Sequence, residues 1–213
     1  MTQQWMLAAG LLSTTTLAHA GNWVETPPGS PDPDAHYIFY LHGSDEEQSG
    51  SSGKYEAAVE AIAESDSIVI SEVRDDTDPN TYAGKLADQI NGLITTGVPA
   101  KNITVSGYSK GSVIALAAAG AVANAEVNYV LLAGCAESLN SKYDVDAGKA
   151  VGRILSIYDS GDSKFGSCDA IVPGKALQNE IELDSGKGHK LFRIPKEKFI
   201  EQWRDPLVEW AGV

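Results

Sequence analysis

Six short apolar runs set the architecture this chain can adopt. Tyr37-Ile-Phe-Tyr-Leu41, Ser67-Ile-Val-Ile-Ser71, Ile103-Thr-Val-Ser106, Tyr129-Val-Leu-Leu-Ala133 and Ile154-Leu-Ser-Ile-Tyr158 are almost continuously apolar, and Glu180-Ile-Glu-Leu183 is a weaker sixth. A strand that is apolar on both faces is covered on both faces, as in a parallel sheet between two layers of helices. The segments between the runs have helix length. Tyr55 to Glu64 carries Ala57, Val59, Ile62 and Ala63 at helical spacing, and Tyr82 to Thr96 carries Leu86, Ile90, Leu93 and Ile94. Lys110 to Asn124 is rich in Ala and reads as a buried helix, and Phe199 to Trp210 as a terminal helix interrupted or bent near Pro206. Strands alternating with helices predict an α/β fold, a three-layer α/β/α sandwich with a mostly parallel sheet of about six strands. Gly21 to Asp34, broken by Pro27, Pro28, Pro31 and Pro33, reads as an irregular lead-in, and Ser49-Gly-Ser-Ser-Gly53 as a flexible loop.

Composition narrows the partners. With 213 residues, 43% hydrophobic and 21% charged, the chain suits one globular domain. Sixteen Lys and Arg against 29 Asp and Glu give a net charge of −13. That argues against nucleic acid and anionic membrane surfaces, which are bound through clustered Lys and Arg. Two cysteines cannot build a disulfide-dense scaffold or a four-cysteine zinc site. Asp76-Thr-Asp-Pro-Asn80 starts like a calcium loop, but Thr81 and Ala87 stand where the glycine and the bidentate acid are needed. Glycine-rich phosphate-cradling motifs are missing too, so no metal and no cofactor is expected. Residues Met1 to Ala20 contain no Asp, Glu, Lys or Arg, are apolar from Trp5 to Leu12 and end in Ala18-His19-Ala20. A short apolar run before a small-x-small site reads as a signal peptide cleaved near Ala20. It leaves 21–213 as an exported domain, periplasmic or secreted, without a stable membrane anchor.

Ligands of parallel sheets bind beyond the carboxyl ends of the strands, so the residues just after each run carry the chemistry. After Ile103-Thr-Val-Ser106 comes Gly107-Tyr108-Ser109-Lys110-Gly111, and the Ala-rich helix follows at once. This G-x-S-x-G lies between a strand and a helix, where Gly107 and Gly111 permit a sharp turn that lifts the Ser109 hydroxyl over the sheet. A serine hydroxyl attacks only when a base takes its proton, and the base needs an acid to orient it. Beyond the signal region the histidines are His36, His42 and His189, and only His189 follows the serine. The acid belongs after an intervening strand, where Asp159-Ser-Gly-Asp162 offers two carboxylates. Asp162 is preferred because Asp159 ends the strand while Asp162 is carried forward on the loop. A tetrahedral intermediate also needs two backbone N–H donors. Lys110, just after the nucleophile, supplies one, and Ser44, in His42-Gly43-Ser44 after the first run, is the candidate for the other. His42 is assigned to orienting that loop.

In motif order and approximate spacing the chain resembles the α/β-hydrolase superfamily: Tyr40-Leu-His-Gly43, Gly107-Tyr-Ser-Lys-Gly111, Asp159-Ser-Gly-Asp162 and Gly188-His189. The resemblance spans about residues 36 to 211. It implies Ser109 as nucleophile, Asp162 as acid, His189 as base and Ser44 with Lys110 as oxyanion donors. Within that family the chain looks like a small bacterial hydrolase lacking the first antiparallel hairpin and any lid. The expected activity is hydrolysis of carboxylic esters of small or soluble acyl groups by a monomer. The alternatives are acyl transfer or peroxide formation on the same three residues, and a non-catalytic binding domain.

Cys135 follows the fourth run and Cys168 lies in the loop carrying Asp162, so in an exported protein they are expected to pair. Asp45-Glu46-Glu47 and Asp75-Asp76-Thr77-Asp78 both follow strands and should rim one face, as solvated loops.

Overall fold

The computed structural model describes residues 23–136, 138 and 142–213; the expected signal peptide lies outside them. One sheet of seven parallel strands organises these residues: β1 (Trp23–Val24), β2 (Tyr37–Leu41), β3 (Ile68–Ile70), β4 (Ile103–Tyr108), β5 (Asn128–Leu132), β6 (Arg153–Asp159) and β7 (Leu177–Leu183), in the order β1-β3-β2-β4-β5-β6-β7. Every neighbouring pair is parallel. The helices are α1 (Ser44–Ser49), α2 (Gly53–Ala63), α3 (Pro79–Thr95), α4 (Lys110–Val122) and α5 (Glu197–Ala211).

Side-chain alternation along the strands divides the core in two. Tyr37, Phe39, Ile103, Val105, Tyr129 and Leu131 point to one face and pack with Leu86, Ile90, Val113 and Leu116 of α3 and α4. Ile38, Tyr40, Val130, Leu132, Leu155 and Ile157 point to the other and pack with Val59, Ile62, Trp203 and Leu207 of α2 and α5. The result is the expected three-layer sandwich. The continuous apolar runs are thus explained: β2, β4 and β5 are buried along their whole length.

Several expectations need correction. The sheet has seven strands rather than six, because Trp23 and Val24, within the supposed irregular lead-in, pair with Val69 and Ile70; two residues are too few to produce a recognisable pattern. Residues 44 to 49, read as loop, form the helix α1, and Ser52 caps α2 by accepting from Tyr55 N–H. The terminal helix runs through Pro206 as one element. An interior proline costs a helix about 3 kcal/mol, and buried Ile200, Trp203, Leu207 and Ala211 hold this one against the sheet.

Parallel pairing puts the carboxyl ends of all strands on one side. The segments after β2, β4, β6 and β7 therefore meet there, only residues 133 to 152 intervene between β5 and β6, and no cap domain is evident among the described residues.

Candidate active site

Ser109 sits at the junction of β4 and α4 with φ 55° and ψ −117°, a conformation that costs a non-glycine residue of order 1–3 kcal/mol. It occupies the position of a helix cap, yet its side chain makes no capping bond. The turn is tight enough to demand its glycines. A Cβ on Gly107 would collide with the backbone of Gly111, and one on Gly111 would collide with the carbonyl oxygen of Leu41 at the end of β2. A Cβ on Gly43 would stand 3.0 Å from the Tyr108 ring, so the segment after β2 also lies directly on the turn.

His189, in a 3-10 turn after β7, reaches Ser109: Nε2 lies 3.0 Å from Oγ. Its Nδ1–H donates to Asp162 Oδ2 at 2.7 Å, since a carboxylate only accepts. Asp162 Oδ1 accepts from the backbone N–H of Lys164 (2.9 Å) and Phe165 (3.1 Å), which fixes the carboxylate. The imidazole contacts two rings, Phe165 stacked at 4.6 Å and Tyr108 tilted at 5.0 Å. Ser109, His189 and Asp162 are thereby brought into one chain of hydrogen bonds.

Asp159 has a different position. Fully buried, its Oδ2 accepts from the N–H (2.9 Å) and hydroxyl (2.5 Å) of Ser185, and its Oδ1 from the N–H of Gly161 (3.0 Å) and Gly188 (2.9 Å). Burial pushes its carboxyl up, but these donors outweigh that and hold it below the ordinary carboxylate range. Asp159 clips the loop after β6 to the loop that carries His189.

The acidic run after β2 is not a solvated loop. Glu46 is buried and Glu47 has a side chain only 2% exposed. Glu47 Oε1 lies 2.9 Å from Arg74 Nε and Oε2 lies 2.8 Å from Lys110 Nζ, while Asp76 takes a second Lys110 bond at 2.7 Å. The aliphatic stem of Lys110 thus leads away from the cleft and leaves only its backbone N–H beside Ser109. Burial alone would depress the Lys110 ammonium; Asp76 and Glu47 reverse that and raise it. Arg74 Nη2 donates to His42 O at 2.5 Å, and its backbone N–H donates to His42 Nε2 at 2.9 Å. His42 consequently carries its proton on Nδ1, which donates to Gly43 O at 2.7 Å. Burial and the neighbouring Arg74 charge push His42 down to about 4, so it is a neutral, structural imidazole. The N–H groups of Ser44 and Lys110, each at the start of a helix, have no acceptor four residues back.

Sequence reasoning missed Arg74, Glu47, Phe165 and Ser185. The role of each depends on partners from other segments, so no local pattern marks it; Glu47 stood out only as part of an acidic run. The disulfide between Cys135 and Cys168 is present, with both cysteines buried. Gly166 N–H donates to Cys135 O at 3.1 Å, so bridge and backbone together tether the Asp162 loop to the segment after β5. Among the described residues no cluster of three or more His, Cys, Asp or Glu could hold a metal ion. The site opens into a cleft of about 1080 Å³ bordered by Ser44, Ser109, Phe165 and His189.

No family model matches the chain, and no curated protein matches its sequence. Solved structures match its fold. An esterase of Pyrobaculum calidifontis superposes with TM-score 0.60 at 14% identity, over 85% of this chain and 77% of its own. The fold is that of the α/β-hydrolases. A thermophilic esterase of Thermogutta terrifontis, with propionate bound, matches with TM-score 0.52 at 14% identity, over 86% of this chain and 87% of its own. The same organism's esterase 2 phosphoramylated by tabun matches with TM-score 0.54 at 12% identity, over 87% of both chains. At these identities the likeness concerns the fold.

Proposed function

We propose that the protein is a serine hydrolase that cleaves carboxylic esters through an acyl-enzyme intermediate. The observation that carries this reading is the hydrogen-bonded series Ser109 Oγ, His189 Nε2, His189 Nδ1, Asp162 Oδ2 at a strained strand-to-helix turn. Ser109 Oγ attacks the ester carbonyl while Nε2 takes its proton, and Asp162 stabilises the imidazolium that forms. The carbonyl oxygen gains negative charge and is held by the N–H groups of Lys110 and Ser44. The imidazolium then protonates the departing alcohol, leaving an acyl group on Ser109. Water, deprotonated by His189, attacks that acyl group and regenerates the serine.

The missing cap and the open cleft suit small or soluble acyl groups and ready entry of water, which favours hydrolysis over acyl transfer. A marked preference for emulsified long-chain triglyceride over short p-nitrophenyl esters would contradict that substrate class. The disulfide fits an oxidising compartment, and export as a monomer with signal-peptide cleavage near Ala20 belongs to the same reading. No helix among the described residues is long and apolar enough to cross a membrane.

The deciding experiment is covalent labelling of the purified protein by a fluorophosphonate probe, with Ser109→Ala as control. The wild type is expected to be labelled at Ser109 and the variant not at all. An unlabelled wild type would point to the non-catalytic alternative. Phosphoramylation of the Thermogutta esterase by tabun makes an organophosphorus reagent a suitable choice.

A further inference from the structure

Charge is distributed unevenly between the whole molecule and its cleft. The chain carries 16 Lys and Arg against 29 Asp and Glu. Among the described residues that border the cleft the balance reverses: Lys142, Lys164, Lys190 and Arg193 stand against Asp45 and Asp162. Both carboxylates are already engaged, Asp45 with Arg193 and Asp162 with His189. Arg193 is in turn committed to Asp45 and to Glu46, at 3.0 Å from the latter. What remains are three exposed lysines, none of them in an ion pair among the described residues.

Two of these lysines belong to backbone segments that are fixed next to Asp162 and His189. Lys164 belongs to the turn whose N–H groups grip Asp162. Lys190 follows His189 in the 3-10 turn anchored by buried Leu191 and Phe192. Lys142 borders the cleft from the segment after β5, its Nζ over the Tyr143 ring at 4.6 Å. The acidic residues Asp76, Asp78 and Asp144 border a neighbouring depression that Lys142 also lines, and none of the three borders the cleft itself. A neutral ester gains nothing from unpaired ammonium groups, and a cationic one is repelled by them. An anionic ester, repelled at long range by a molecule of net charge −13, needs such a local reversal to approach the nucleophile.

We infer that the ester hydrolysed here bears a carboxylate or similar anionic group, bound by Lys164 and Lys190 with Lys142 across the cleft. The inference rests on the serine-hydrolase reading and names its substrate class. The flexible four-carbon stems let these ammonium groups meet an anion several bonds from the scissile carbonyl.

The test compares matched esters that differ in charge. Mono-p-nitrophenyl adipate is set against p-nitrophenyl hexanoate for an anion on the acyl side, and 4-butyryloxybenzoate against phenyl butyrate for one on the alcohol side. At low ionic strength kcat/KM for the anionic member of at least one pair is expected to exceed that of its neutral partner by about tenfold. The ratio should fall towards one in molar salt, where the Debye length shrinks to about 3 Å. It should also fall towards one in the Lys142→Gln, Lys164→Gln, Lys190→Gln triple variant. Ratios at or below one for both wild-type pairs, or a ratio unchanged by the triple substitution, would overturn the inference. Fluorophosphonate labelling of Ser109 separates the two failures: it survives if only the substrate class is wrong and is absent if the hydrolase reading is wrong.

Discussion

Replacing Glu47 by Gln tests whether one buried carboxylate holds the two halves of the site together. The side chains of Glu47, Arg74 and Lys110 are 2%, 3% and 6% exposed. In the wild type the carboxylate offsets two cations at 2.9 and 2.8 Å. The amide keeps the shape but carries no charge, and its NH₂ group must face one of the two cationic donors. Lys110 would retain only Asp76, whose side chain is 84% exposed, and an exposed partner contributes about 0–1 kcal/mol. Arg74 would retain the neutral carbonyl of His42. Removing one member of a buried ion pair typically costs 3–5 kcal/mol, so a loss of about 3 kcal/mol is expected. With a urea m-value of about 2 kcal/mol/M, the unfolding midpoint falls by roughly 1.5 M. Arg74→Met in the Glu47→Gln background should cost less than it does alone, because the stranded cation is removed with it. A midpoint shift below about 0.5 M, or strict additivity of the two substitutions, would refute the reasoning.

Asp162→Asn is expected to lower kcat by about 10⁴-fold, since an amide no longer stabilises the imidazolium, with little change in the unfolding midpoint. Asp159→Asn should do the reverse, costing about 1–3 kcal/mol because one amide cannot accept from all its present donors; urea titration and ester assays on both variants check the pair, and the opposite pattern would exchange their roles. His42 is pushed down to about 4 in the folded protein, against about 6.5 unfolded. Between those values the unfolded chain binds more protons, so the stability His42 contributes is fully present above pH 6.5 and about 3 kcal/mol of it is lost as pH falls to 4. An NMR titration placing the His42 ring near 6.5 would contradict this. Reducing the Cys135–Cys168 bridge, which closes a separation of 33 residues, should cost about 3–4 kcal/mol in the chain-entropy description; two thiols open to alkylation in the unreduced, denatured protein would rule the bridge out.

The alternation of apolar runs with helix-length segments in the sequence was enough to determine the layers, the parallel sheet and the edge at which the segments after the strands meet. Burial on both faces leaves a continuous apolar signature, and parallel strands bring every loop after a strand to one edge. The turn that carries Ser109 was legible for a more local reason, because the collision that demands Gly107, with the backbone of Gly111, lies within five residues, although Gly111 itself is demanded by Leu41 of another strand.

Only the tertiary structure shows which of Asp159 and Asp162 is hydrogen-bonded to His189. The two carboxylates lie three residues apart, Asp159 at the end of β6 and Asp162 in the segment after it, and only the positions of Ser185, Gly188 and His189 after a different strand set their partners apart. The run Asp45-Glu46-Glu47 shows the same limit. Acidic residues in sequence read as solvated because their partners, Arg74, Lys110 and Arg193, are 27 or more positions away. Local patterns record which faces exclude water; which charge meets which is settled only when distant loops converge, because the favourable energy of a buried pair exists only once both members have left solvent together.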